Sequence, residues 1–326
     1  MNKLFQTIFL LFALCGQVFA QTNAVEIQRD VWHDSKRDRD VPVKIYSPKS
    51  GRGPFPVIIF SHGLGGTCET YSYLGEYWAA HGYVSVHLQH HGSDDAVWRD
   101  AGLRNGMQAM RKAAANPQNA INRPRDVSFA IDELEHLNRE SPTWKQRLDL
   151  DRIGVAGHSF GAFTTLASAG QQFQPGIAKE SSLADPRVKA AIPMSAPAPA
   201  NKRRLDEIYA GVKIPCLHMT GTKDSSPIGD TSPEDRRLPF DHCKNSDQFL
   251  ITFKDGDHMI FSGRSSRTNP SDETFHELIQ QSSTAFWDAY LRNDQKAKSW
   301  LTNDFQSVLD DTGKFEMKLG ASGVAR

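Results

Sequence analysis

After Val25, apolar runs alternate with stretches of helical period, and the runs are of two kinds. Val41-Pro-Val-Lys-Ile-Tyr46 alternates apolar and polar positions, which predicts an antiparallel edge strand with one wet face. Pro56-Val-Ile-Ile-Phe60, Ile153 to Ala156 and Ala190 to Met194 are continuously apolar, as strands covered on both faces are. Tyr83 to Leu88, Val212 to Met219 and Gln248 to Phe253 complete the strand set. Val127, Ala130, Ile131, Leu134 and Leu137 recur at three- and four-residue spacing behind Pro124, which suits a helix entry. Phe275, Leu278, Ile279, Phe286 and Tyr290 form a second such face, read as a helix docked on the sheet and not as a membrane element. The alternation predicts one α/β domain over residues 21–326, with a mostly parallel central sheet and helices on both faces. Gly92 to Asn122, Gly170 to Asp185 and Ser225 to Asn245 break the rhythm. Each follows a strand, so they are expected as irregular cap segments at the carboxyl edge of the sheet, where open α/β folds bind ligands.

The first twenty residues are a different object. Lys3 gives a short positive start, Leu4 to Leu14 is almost wholly apolar, and Val18-Phe19-Ala20 places small residues where signal peptidase reads them. The run is too short to span a bilayer, which predicts an export signal cleaved after Ala20 and a secreted or periplasmic protein. Cys15 lacks the preceding small residue that lipoprotein processing needs. No later stretch reaches membrane-spanning length.

Composition narrows the partners. Lys+Arg and Asp+Glu are both 38, which argues against a polybasic nucleic-acid binder and an acidic disordered tail. Cys68, Cys216 and Cys243 are too few for a disulfide framework and have no zinc-type spacing. A single bridge, Cys68 to Cys243, is the pairing open to an oxidising compartment, and Cys216 in its apolar run reads as a small buried hydrophobe.

Gly157-His-Ser-Phe-Gly161 carries the first chemical signal. A strand, Arg152 to Ala156, precedes it and a helix-compatible run, Ala162 to Ala169, follows it. So sharp a strand-to-helix turn strains the central serine and leaves no room for side chains two positions away, so both are Gly. Ser61-His-Gly-Leu-Gly-Gly66 follows the most apolar strand and supplies a second element. Acyl transfer develops an oxyanion that needs preorganised donors, and the backbone N–H groups of Leu64 and Phe160 are the predicted pair. A phosphate loop is the competing reading, but the Gly-Lys-Ser/Thr ending is absent.

The serine needs a base and the base an orienting acid. His258 is the histidine that directly follows the last core strand, and Asp224 follows the Val212 to Met219 strand. Ser159, Asp224 and His258 then stand in the chain order of α/β-hydrolases. Asp255 and Asp257 compete as the acid but sit too close to His258 in sequence to reach its Nδ1, and Asp185 and Asp206 are lower candidates. His87, His90, His91, Asp94 and Asp95 invite a metal reading, against which His90 and His91 face opposite sides of the chain. Loop hydrogen bonding or a pocket rim is the default there. His62 and His158 are read as packing around the motifs, and Trp78 and Trp98 as core or rim.

The pair Ser61-His-Gly-Leu-Gly65 and Gly157-His-Ser-Phe-Gly161 resembles the platelet-activating-factor acetylhydrolase branch of the α/β-hydrolases, with chlorophyllase-like and dienelactone-hydrolase-like esterases similar in pattern. The likeness runs from about Asp40 to Asp294. It implies an α/β-hydrolase fold, Ser159 as nucleophile, His258 as base, and Leu64 and Phe160 as oxyanion donors. In the acetylhydrolases the acid follows the strand after the nucleophile helix; Met194-Ser-Ala-Pro-Ala-Pro199 has no carboxylate, which leaves Asp224. Dienelactone hydrolases use a Cys nucleophile, and position 159 is Ser.

The expected activity is carboxylic ester hydrolysis through an acyl-enzyme. It requires no metal or organic cofactor, and its substrate is a small-molecule, lipid or polymeric ester. A peptidase or amidase of the same fold and a non-catalytic binding protein on this scaffold are the rivals.

Overall fold

Val57 and Ile59 leave one face of β3 (Phe55–Ser61) and Ile58 and Phe60 the other, and all four are buried. That two-sided burial organises the molecule. The computed structural model describes residues 24–173, 182–263 and 271–320. The expected leader, residues 1–20, lies outside them.

Nine strands form one sheet: β1 (Val25–Asp34), β2 (Arg39–Pro48), β3, β4 (Val84–Leu88), β5 (Leu148–His158), β6 (Val188–Met194), β7 (Cys216–Lys223), β8 (Gln248–Asp257) and β9 (Gly313–Lys318). Their order is β1-β2-β4-β3-β5-β6-β7-β8-β9. Strands β4, β3, β5, β6, β7 and β8 pair in parallel, while β1 with β2, β2 with β4, and β8 with β9 are antiparallel. This is the α/β-hydrolase arrangement.

On one face, α3 (Pro117–Glu140), α4 (Phe160–Ala169) and α5 (Leu205–Tyr209) bury Val127, Ile131, Leu166 and Ile208 against the strands. On the other, α1 (Ser72–Ala80) and α6 (Ser271–Leu291) bury Leu74, Trp78, Ile279, Phe286 and Trp287. Each fully buried side chain of this size contributes about 1.5–3 kcal/mol, so the two layers rather than any single pair hold the sheet.

Several expectations change. Val41 to Tyr46 lies in antiparallel β2, yet it is not the edge, because β1 covers it. β1 alternates apolar and polar residues at Val25, Ile27 and Val31, yet none of those apolar side chains is buried and only Trp32 and Asp34 are. Pro124 is interior to α3, whose true start is Pro117 behind Asn116; the Asn116 side chain accepts from the Gln118 N–H at 3.0 Å. Gly92 to Asn122 is mostly helical: α2 (Ala96–Ala115) and the start of α3 fill it. α2 buries only Gly106 and Ala113 and is broken at Gly102 (φ 70°), so it shows no core-facing period. The strand expected from Val212 begins at Cys216, after a turn in which Val212 N–H donates to Tyr209 O. Cys68 and Cys243 are not bridged; both, with Cys216, are free and buried.

Candidate active site

The site begins with a strained residue. Ser159 joins β5 to α4 with φ 57° and ψ −116°, a conformation non-glycine residues rarely hold. Close approach explains the flanking glycines: a Cβ on Gly157 would lie 2.5 Å from Gly161 O, and one on Gly161 would overlap the Ser61 carbonyl. The turn lifts the Ser159 hydroxyl above the carboxyl edge of the sheet, at the N-terminus of α4, where the helix dipole favours negative charge.

Two further strand ends bring partners to it. His258 follows β8 and its Nε2 lies 3.0 Å from Ser159 Oγ. Asp224 follows β7 and its Oδ1 lies 2.8 Å from His258 Nδ1. Asp224 is wholly buried and His258 is 7% exposed. Leu64 stands in the loop after β3, and Phe160 opens α4 beside Ser159. Leu64 and Ser159 line the same two cavities.

The lower acid candidates are occupied elsewhere. Asp255 pairs with Lys223, Asp257 accepts from the Met259 N–H, Asp185 pairs with Arg187, and Asp206 with His242 and Lys244. His90 is buried against Asp126 and Ser61 while His91 is exposed. No cluster of three or more metal-binding side chains occurs among the described residues. His158 is buried, with Nδ1 2.8 Å from the Tyr71 hydroxyl, and burial drives its pKa well below the usual histidine value. Trp78 is core; Trp98 is at the rim and donates to Gly65 O at 3.0 Å.

Sequence reasoning missed the groups that hold Asp224. Ser195, at the end of β6 with φ 56°, donates to Asp224 Oδ1 at 2.8 Å and lies 2.8 Å from His258 Nδ1. Thr220 donates to Asp224 Oδ2 at 2.9 Å. Arg236 is buried beside them: Nε donates to Asp224 O at 3.1 Å and lies 3.2 Å from Oδ1, and Nη1 donates to Ser195 O and Ala196 O at 3.0 Å. With Nδ1–H directed at Asp224, the 3.2 Å approach of Arg236 Nη2 to Nδ1 is a contact and not a hydrogen bond. Ser195 was open to the strand-end rule that found Asp224. Arg236 lies in Ser225 to Asn245, where nothing local marks it.

A hydroxyl, an imidazole and a buried carboxylate in this chain of contacts can generate a nucleophile and shuttle its proton. Two cavities meet at Ser159. One, of about 430 Å³, is lined by His258, Trp98, Met107, Met110 and Met259; the other, of about 530 Å³, by Phe160, Phe163, Pro197 and Pro199. Leu64, Pro227 and Ile228 line both.

The sequence model of the family described as platelet-activating factor acetylhydrolase, isoform II, matches residues 22–105, a stretch that includes Leu64 and ends before Ser159. The chain is similar to the platelet-activating factor acetylhydrolase of Cavia porcellus, 29% identical over 163 residues that cover 42% of this chain and 37% of that protein. The enzyme of the same name from Canis lupus familiaris is 29% identical over 167 residues, with the same two shares. Cutinase 2 of Thermobifida cellulosilytica is 27% identical over 181 residues, 56% of this chain and 52% of that protein. The chain thus spans less than two thirds of the length of these relatives. It resembles both groups, and among its described residues no helix is long and apolar enough to cross a membrane.

Proposed function

We propose that the protein is a serine hydrolase that cleaves carboxylic esters through an acyl-enzyme. The observation that carries this reading is the unbroken chain of contacts from Ser159 Oγ through His258 to buried Asp224, set on a strained turn. The likeness to an acetylhydrolase and a cutinase favours an ester over an amide.

Ser159 attacks the ester carbonyl while His258 Nε2 takes its proton, and Asp224 stabilises the imidazolium that forms. The N–H groups of Leu64 and Phe160 receive the oxyanion. His258 then protonates the departing alcohol, and water repeats the sequence to release the acid. Because the proton reaches the leaving oxygen from Nε2, the alcohol belongs on the side of the cavity that His258 lines, between Trp98, Met110 and Met259. The acyl group belongs in the other, beside Phe163 and Pro197. Both walls are largely apolar, which suits esters of hydrophobic acids and alcohols. Export to the periplasm or the medium, from a leader ending at Ala20, completes the reading.

Matched p-nitrophenyl ester and anilide substrates of increasing acyl length test it. Ester turnover at least 10³-fold above amide turnover supports the reading. Comparable rates point to a peptidase of this fold, and no turnover of either, with folded protein, points to a binding protein.

A further inference from the structure

Arg123 is the most deeply buried cation near the site, with no exposed surface. It projects from α3 into the space between the Ser61–Gly66 loop and α4. Its hydrogen bonds among the described residues reach three different segments. Nη2 donates to the His62 carbonyl, two residues before Leu64. Nε donates to Thr164 Oγ1 at 2.9 Å, and that hydroxyl donates at 3.0 Å to the carbonyl of Phe160. Nη1 donates to Ser93 Oγ at 2.8 Å, while Ser93 O accepts the Gly65 N–H at 2.9 Å. The guanidinium carbon also stands 4.6 Å from the centroid of the Phe160 ring.

The three acceptors are neutral, and burial lowers the guanidinium's pKa to about 9 even though the carboxylates of Asp126 and Asp94 favour the cation. Holding a cation in such a place is costly, and a neutral side chain of similar volume would fill the space at lower cost. What the planar fork supplies that a neutral group does not is fixed geometry on three oxygens at once. The bonds run to the segments carrying Leu64 on one side and Phe160 on the other.

We propose that Arg123 is a positioning residue for the oxyanion hole, its one guanidinium setting the separation of the Leu64 and Phe160 N–H groups. The role rests on the serine-hydrolase reading above. Donors spaced by a rigid clamp need no rearrangement as charge develops on the carbonyl oxygen, which is where such donors contribute most. Loss of the clamp leaves ground-state binding in the two cavities and weakens transition-state binding, so kcat falls and KM stays.

The test compares wild type with Arg123→Lys, which keeps the charge and loses the fork. Readouts are kcat and KM on a p-nitrophenyl ester and the inhibition constant of a trifluoromethyl ketone, whose adduct places an oxyanion in the hole. The expected result is a fall in kcat of about 10- to 100-fold, KM within about threefold, and ketone affinity weakened in parallel with kcat/KM. Unchanged kcat and ketone affinity in a folded variant, or a change confined to KM, overturns the proposal. If Arg123→Lys does not fold, Thr164→Val is read by the same criteria, since it removes the clasp on α4 and leaves the cation in place. Turnover by wild type that is lost in Ser159→Ala secures the underlying reading separately. If wild type binds the ketone but turns over no ester, only the ester reading fails and the ketone affinities of wild type and variant decide the proposal; if wild type forms no ketone adduct, the proposal falls with the serine-hydrolase reading.

Discussion

Ser195 Oγ donates to Asp224 Oδ1 across 2.8 Å, so the end of β6 and the end of β7 meet at a single carboxylate oxygen, itself 2.8 Å from His258 Nδ1. Both residues are fully buried, and both reach the imidazole from the carboxyl edge of the sheet. The hydroxyl therefore occupies a position from which an acid could serve the same ring.

That geometry makes an acid swap testable. Asp224→Ser alone is expected to lower kcat by about 10³–10⁴-fold, the scale seen when a triad loses its carboxylate. Adding Ser195→Asp is expected to recover at least tenfold, since Asp tolerates the positive φ at 195 better than most residues. Steady-state kinetics of the single and double variants decide it. A double variant no faster than the single one means that β6 cannot present a working acid.

Arg236 holds three carbonyls and lies against the Asp224 carboxylate, all out of solvent. Arg236→Met strands these acceptors and leaves the carboxylate without its buried cation. The expected loss in unfolding free energy is about 3–5 kcal/mol, measured by urea titration. A loss below about 1 kcal/mol would show that the segment holds its place without the cation.

Stability should fall on mild acidification because several histidines are buried neutral. Burial lowers the pKa of His87 to about 3 and those of His90 and His218 to about 4. An unfolded histidine titrates near about 6.5, so between that value and 4 the unfolded chain binds protons that the folded chain does not. Stability is full above the unfolded value and drops as pH falls through this window, by about 2 kcal/mol per histidine between pH 7 and pH 5. Asp126 acts in a different range. Burial opposes its ionisation, but hydrogen bonds from His90 and Arg39 hold its carboxyl down to about 2, so its contribution survives until pH falls below about 4. Urea unfolding at pH 7, 6 and 5 measures the slope; equal stability at all three would contradict it.

The thiols offer an independent check on the core. Burial raises the pKa of Cys68 to about 11 and that of Cys243 to about 12, and pushes Cys216 well above the usual thiol value. Native protein without the leader is expected to react negligibly with an aromatic disulfide reagent, and denatured protein to release three equivalents. One equivalent after denaturation would mean that two of the cysteines are bridged.

What could be read from the chain and what could not divide along physical lines. The Ser159 turn was legible because its steric demands fall on Gly157 and Gly161, two neighbours in sequence. Strand ends carried Asp224 and His258, since continuous apolar runs mark where the buried strands stop. The groups that steady Asp224 were not legible in that way: Ser195, Thr220 and Arg236 meet its carboxylate only when three separate segments converge. β1 alternates at Val25, Ile27 and Val31 but buries only Trp32 and Asp34, so its apolar positions mark no core face, and α2 carries no stripe because its Trp98, Met107 and Met110 line a cavity instead of the sheet. Pro124 misled for a simpler reason, that proline normally opens or breaks a helix. Here it sits inside one whose capping residue lies eight positions earlier.

The most direct measurement is the site of covalent capture by a fluorophosphonate, read by mass spectrometry of the digested protein. The expected result is one adduct on the peptide carrying Ser159, absent in Ser159→Ala together with ester turnover. Turnover that persists in Ser159→Ala, or an adduct on another serine with Ser159 untouched, would contradict the assignment.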